Sequence, residues 1–352
     1  MSSLIRAVPL NPFLTGPLWL LLTRAPEQIR APILQWLREH VSAEAIRNAI
    51  TALKWLFAIG LTTRAHSLLT DLAQNNWRLR SERHRYHWPD ERAVVTGAAG
   101  GFGSLISKGL ASHGIEVIAL DVAEQLPADM QSIRKIHYYR CDITDRQAVM
   151  DLAAKVRKEH GEARILVNNA GVAFDSEVIE ASERDVRKIF DVNIISHYWT
   201  LAAWLPGMLS AKKGHVVSVA SMASFVTLPN MVSYANTKAA VMSLHEGLQS
   251  EARMLHKAPE VKFTCVHPNF AATAMTKPYE DEIKRLGSPL MKPEVVSEAV
   301  VKQILSCRGR QIVLPDSMSF VSTQRAWPSY LSYLVSWTLE RPRLGAPHGG
   351  SK

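Results

Sequence analysis

Residues 93–103 read AVVTGAAGGFG, and this stretch decides the fold. Ala93 to Thr96 is a short run of small and β-branched residues, the composition of a buried strand. Gly97, Gly101 and Gly103 follow at once, with Phe102 between the last two, and a helical run continues to about His113. A glycine-rich turn between a strand and a helix brings backbone amides close to a pyrophosphate, and the helix N-terminus favours its negative charge. Glycine also serves tight turns that bind nothing, so the next residues carry the assignment. Asp121 closes the apolar run Ile115 to Leu120, about 20 residues beyond the turn. A carboxylate there reaches both ribose hydroxyls and repels a 2′-phosphate, so NAD is expected rather than NADP. No arginine follows Asp121 directly, which agrees. Asp142, after the run Ile136 to Tyr139, is placed to meet the adenine.

Working outward, strand-like and helix-like runs alternate. A helix from about Asp145 to His160 leads to the strand Ile165 to Val167 and then to Asn168-Asn169-Ala170-Gly171. A helical region from Ser182 to Met208 precedes the strand His215 to Val219. A further helix, the strand Val261 to Val266 and the strand Gln311 to Leu314 complete the series. Such alternation implies an α/β fold: a Rossmann-like, doubly wound parallel sheet with helices on both faces. The expected organisation is a helical extension over 1–90, a catalytic domain over 91–342 ending in an apolar helix, and a disordered tail over 343–352.

The chemistry is expected between Ser221 and Lys238. Tyr234 and Lys238 are four apart, hence on one face of a helix. An ammonium beside a phenol favours the phenolate, so the Tyr234 pKa is expected to fall from about 10. A tyrosine so tuned takes a proton from an alcohol or gives one to a ketone. Ser221 follows the apolar run HVVSVA, so a strand end and a helix start can meet over one substrate oxygen. Tyrosine and lysine at this spacing are common on helices that do nothing; the motifs upstream give the pair its weight.

Composition narrows the class. The chain of 352 residues is 47% hydrophobic and 21% charged, enough to bury a full core. Cys141, Cys265 and Cys307 form neither a disulfide framework nor a zinc motif, and no metal centre is expected. The absence of a glycosylation sequon joins the cysteines in favouring a cytosol-facing location. The net charge of +9 suits an anionic lipid surface. No nucleic-acid motif is present, so a nucleic-acid partner is not expected. Residues 1–90 carry eleven Lys/Arg against six Asp/Glu, with Arg78, Arg80, Arg83 and Arg85 clustered at the end. The apolar run Phe13 to Leu22 contains Gly16 and Pro17 and is too short to span a bilayer. Ala45 to Leu61 carries Arg47 and Lys54 beside Trp55 and Phe57, the pattern of a helix lying in the membrane interface. Packing on the main domain, or an oligomer contact, is the plainer use of the same helices.

With these residues in view, the chain resembles the short-chain dehydrogenase/reductase family over about residues 90 to 315. The resemblance rests on the Thr96/Gly97/Gly101/Gly103 turn, Asn168-Asn169-Ala170-Gly171, Asn193, Ser221 and the Tyr234/Lys238 pair, in that order. It implies a seven-stranded sheet of order 3-2-1-4-5-6-7. It implies Tyr234 as general acid/base and Lys238 as the residue that binds nicotinamide ribose and depresses the tyrosine. Ser221 would hold the substrate oxygen, and the Asn193 backbone a relay water. Asn169, Ala170 and Gly171 would border the cofactor, and Thr273 would contact the nicotinamide amide. A homodimer is one assembly it implies.

Two departures stand out: Pro268-Asn269 replaces Pro-Gly, where asparagine tolerates a left-handed backbone, and Phe102 replaces the usual isoleucine. The apolar extension leading into Trp88, and the segment Gln311 to Pro315 followed by an apolar helix near Tyr330 to Leu339, resemble the membrane-associated branch of retinol and hydroxysteroid dehydrogenases. That implies a lipophilic alcohol or carbonyl substrate and a place on the cytosolic face of endoplasmic reticulum or lipid droplet. The rivals are a soluble, cytoplasmic biosynthetic ketoreductase, a non-catalytic NAD-binding protein of lipid surfaces, and a nucleotide-sensing module. The substrate loop is expected over Ala274 to Leu290, with Met275, Tyr279 and Leu286.

Overall fold

A computed structural model describes residues 10–285 and 287–340. The expected tail over 343–352 and Leu286 of the substrate loop lie outside the described residues. The chain divides into two compact units, with the break between Trp77 and Arg78.

The first unit is helical. Helix α1 (Pro12–Thr23) opens at Asn11, whose side chain accepts from the Phe13 amide at 3.1 Å, and it runs on through Pro17. Helix α2 spans Glu27–His40, and α3 spans Ala43–Gln74 behind a Ser42 cap. Helix α3 is much longer than the run Ala45 to Leu61 suggests, because no glycine or proline breaker stops it after Gly60. Close packing explains two small residues. A Cβ on Gly60 would lie 2.2 Å from the Leu10 carbonyl oxygen, and one on Gly16 would lie 2.6 Å from the Phe57 ring. Only Ile46 and Gly60 of α3 are buried, and Trp55 is 60% exposed. No helix among the described residues is long and apolar enough to cross a membrane.

The second unit holds the sheet. Its strands are β1 (Arg92–Thr96), β2 (Glu116–Asp121), β3 (Ile136–Arg140), β4 (Ile165–Asn168), β5 (His215–Val219), β6 (Lys262–Pro268) and β7 (Arg310–Leu314). All pairings are parallel and the order is β3-β2-β1-β4-β5-β6-β7, as the family resemblance implies. The order reverses direction between β1 and β4, which opens a crevice at the C-terminal strand ends. Central strands are buried on both faces, hence their unbroken apolar runs.

Helices α4 (Gly101–Ser112), α5 (Arg146–His160), α6 (Glu183–Phe190), α7 (Ser196–Ser210), α8 (Val232–Met254), α9 (Pro293–Ser306) and α10 (Ser329–Glu340) cover the sheet or follow it. One apolar layer joins Ile106 and Leu110 of α4 to Val300 and Ile304 of α9. The other joins Leu152 of α5 to Trp204 and Met208 of α7. Between α6 and α7 the helical region expected over Ser182 to Met208 passes through a π-helical turn, Asp191–Ile195. The arginine cluster before β1 is engaged within the unit. Arg78 pairs with Glu82 and Glu260 at 3.0 and 3.2 Å, Arg83 lies over the Trp88 ring, and Arg85 donates to the Lys212 carbonyl. These three side chains pin the lead-in segment.

Candidate active site

Between β1 and α4 the chain turns through Gly97 and Gly101, at φ 65° and 51°. That region of backbone space is costly for other residues. Gly103 is required for a different reason: a Cβ there would sit 2.0 Å from the Gly97 carbonyl oxygen and 2.6 Å from Asn169 Nδ2. The α4 N-terminus has no side-chain cap. Its first amides therefore form the open, positively polarised cradle that a pyrophosphate fits.

Thr96 and Asn169 brace this turn from beneath. Thr96 is buried, and its hydroxyl accepts from the Asn169 and Ala170 amides at 3.0 and 3.1 Å. Asn169 Nδ2 donates to the Thr96 and Gly97 carbonyls. These bonds tie the end of β1 to the end of β4 at the reversal. Asp121 ends β2 and accepts from the Ala99 amide at 2.8 Å and the Ala123 amide at 3.1 Å. The two amides fix the carboxylate beside the cradle, with lone pairs left for ribose hydroxyls. Asp142 is exposed and accepts from the Thr144 amide and hydroxyl, a local turn beside β3. Thr273 reaches the far side of the turn, its methyl 3.9 Å from where a Gly101 Cβ would be.

Beside the cradle lies a cavity of about 240 Å³. Ser221, Tyr234 and Lys238 line it, with Gly171, Phe102 and Thr273. Ser221 follows β5 in extended conformation and accepts from the Ala223 amide at 3.1 Å. Tyr234, in the first turn of α8, faces the same cavity as Ser221. Lys238 is one turn on, 4% exposed, and its Nζ donates to the Val219 carbonyl at 2.9 Å and lies 5.5 Å from the centre of the Tyr234 ring. Asn193 is fully buried in the π-helical turn. Its Nδ2 donates to the Val172 carbonyl and Thr237 Oγ1, and its Oδ1 accepts from the Val172 amide. Asn193 thus locks the strand exit that carries Gly171 against α8.

The electrostatics correct one expectation. Burial pushes the Tyr234 phenol above its ordinary value, opposed by the nearby Ser221 hydroxyl. Burial also lowers Lys238 to about 8. Desolvation wins because the ammonium is directed at the Val219 carbonyl and not at the phenol oxygen. Without ligand, then, Tyr234 stands protonated at neutral pH, ready to donate. With Tyr234 taken as the base for an alcohol, kcat/KM is expected to keep rising with pH above neutrality. A plateau reached near pH 7 in initial-rate measurements contradicts this.

Several wall residues are not legible in the sequence. Met318 and Val321, beyond β7, line the cavity with Met222, Met231 and Phe270. Met275, Tyr279 and Ile283 come from the expected loop, whose base is pinned by a bridge between Ala271 and Met291. His267, buried at the end of β6, was also not foreseen. Burial holds it near a pKa of 4, so it is neutral, and its Nδ1 lies 3.2 Å from the Ser221 carbonyl while its ring packs on Phe225. A polar residue ending an apolar strand beside Pro268 is the signal that could have found it. Asn269 shows no left-handed backbone. It bonds to Leu314 and Ser288 instead, so the turn after β6 needs no glycine.

The short chain dehydrogenase family model matches residues 91–284. The chain belongs to that family, and it is therefore an oxidoreductase acting on CH–OH groups with a nicotinamide cofactor. Human estradiol 17-beta-dehydrogenase 11 is 33% identical over 66% of this chain and 77% of its own. Mouse 17-beta-hydroxysteroid dehydrogenase 13 is 29% identical over 77% of this chain and 84% of its own. A short-chain dehydrogenase/reductase from Burkholderia phymatum, solved in complex with NAD, superposes with a TM-score of 0.63 at 24% identity. It spans 70% of this chain and 96% of its own, a likeness of fold.

Proposed function

We propose that this chain interconverts a lipophilic alcohol and its carbonyl partner, of retinoid, steroid or long-chain type, using NAD. The observation that carries the proposal is the placing of Ser221, Tyr234 and Lys238 against a wall of methionine, valine and phenylalanine side chains. Such a wall binds an apolar body and leaves its single oxygen to the polar group. The names of the hydroxysteroid dehydrogenase relatives agree with that substrate class.

The cofactor, when bound, gives or takes the hydride at its nicotinamide ring. Gly97, Gly101 and Gly103 bring backbone amides to its pyrophosphate. Asp121 takes the ribose hydroxyls, and Thr273 and Gly171 border the ring end. Ser221 holds the substrate oxygen and stabilises charge as it develops there. Tyr234 donates the proton to a carbonyl or removes it from an alcohol, and Lys238 holds the nearby ribose. Asn193 positions Gly171 and α8, and its backbone is assigned the relay water that the family resemblance implies. Replacing Asp121 with serine tests the cofactor assignment. The KM for NAD is expected to rise and that for NADP to fall, each about tenfold, a change of about 1.4 kcal/mol. Unchanged preference removes Asp121 from cofactor selection.

The exposed apolar side chains of α1 and α3, Phe13, Leu18, Trp55 and Leu68 among them, support a place on a lipid surface, endoplasmic reticulum or lipid droplet, facing the cytosol. Exposed Ile195 of the π-helical turn and Tyr198 of α7 offer apolar area for a homodimer. The test is cell fractionation with an alcohol panel of long-chain alcohols, retinol and sterols, following NADH. Tyr234-dependent activity in the membrane fraction supports the reading. Activity only in the soluble fraction favours a cytoplasmic ketoreductase, and NAD binding without any turnover favours a binding protein.

A further inference from the structure

At the opposite end of the sheet from the cradle, three side chains converge on one point. Glu116 is the first residue of β2, His137 lies on edge strand β3, and His160 ends α5. Strand β2 spans five residue steps from Glu116 to Asp121, so this cluster is roughly 16 Å from the cofactor carboxylate. His137 Nε2 and His160 Nδ1 are each 2.9 Å from the same Glu116 oxygen, Oε1. The donor atoms all lie within 4.8 Å of one another, and the two imidazole centres are 4.4 Å apart. The other carboxylate oxygen, Oε2, is 3.4 Å from Arg92 Nε. Oε1 is thereby left to the two histidines.

Tyr139 and Glu159 hold His160 from its other side. The Tyr139 hydroxyl is 2.5 Å from Glu159 Oε2, which only accepts, so its one proton goes there. The Tyr139 oxygen, 2.9 Å from His160 Nε2, then accepts from that ring nitrogen. His160 Nδ1 thereby faces Glu116 Oε1, with His137 Nε2 at the same distance from that oxygen. One metal ion at this point satisfies both nitrogens and the carboxylate at once. The chain from His160 through Tyr139 to Glu159 is the outer support that metal-bound imidazoles use to fix their tautomer.

We propose that Glu116, His137 and His160 bind a divalent transition ion of the zinc class. Two imidazoles and one carboxylate suit zinc, with solvent at the remaining position beside half-exposed His137. The ligand atoms need open by only a few tenths of an ångström to take metal bonds of about 2.0–2.2 Å. The ion pins edge strand β3 and the end of α5 to β2. The cluster escapes sequence inspection because its members come from three separate elements.

The test uses the full chain, purified, stripped with a chelator and dialysed against zinc, with metal measured by elemental analysis and stability by thermal unfolding. The expected result is one zinc per chain and, at a hundredfold excess over Kd, a midpoint roughly 5 °C higher. His137→Ala/His160→Ala is expected to lose both effects. His137→Gln, at a half-exposed edge position, repeats the test should the double variant fail to fold. Zinc held equally by these variants, or not held by the parent chain at tens of micromolar, overturns the proposal.

Discussion

Tyr234→Phe is expected to lower turnover by roughly 10³–10⁴-fold, the upper range for a positioned acid-base group, while cofactor binding stays within a few-fold. The change deletes one oxygen. Tyr234 lies on the apolar cavity with Ser221, while the cofactor cradle is built by other residues. The ring still fills its place on α8, so folding is not in question, and thermal unfolding of the two proteins should coincide within a few degrees. Single-turnover kinetics and NADH fluorescence separate the effects. Turnover within tenfold of the parent removes the phenol from the mechanism. Equal loss of cofactor binding makes Tyr234 a binding residue instead.

The second large effect is expected at Gly103→Ala. The new methyl would lie 2.0 Å from the Gly97 carbonyl oxygen, a backbone atom that moves only if the turn moves. Overpacking of a tight core site costs typically about 1–3 kcal/mol. Here the displaced atoms are also the cradle itself, and the Asn169 bonds to Thr96 and Gly97 are strained with it. Cofactor affinity is therefore expected to fall at least about tenfold, with a lower unfolding midpoint. Gly100→Ala is the control, because a Cβ there meets nothing within 4 Å. Equal behaviour of the two variants removes the close approach at Gly103 from the account.

The sheet was legible because its strands are buried on both faces and read as apolar runs between glycine or asparagine punctuation. Val216 and Val217 in β5 and Val94 and Val95 in β1 are such runs, and each strand falls within a residue or two of its expected place. The Gly97–Gly103 turn and the Tyr234/Lys238 spacing were legible because each is local. What depends on distant packing was not. The π-helical turn at Asn193 comes from bonds to Val172 and Thr237, far off in sequence. The raised Tyr234 pKa comes from burial that a four-residue spacing does not report. The Met318 and Val321 wall lies about a hundred residues from Ser221, and no periodicity connects the two.

The central claim is direct hydride transfer at the Ser221, Tyr234 and Lys238 site. Its most direct measurement uses a long-chain secondary alcohol or a sterol deuterated at the carbinol carbon, incubated with the full chain and NAD, with the reduced cofactor recovered for mass spectrometry. The account predicts one deuterium in the reduced nicotinamide, formed by the parent chain and not by Tyr234→Phe. Reduced cofactor without deuterium, or deuterium transfer undiminished in Tyr234→Phe, contradicts it.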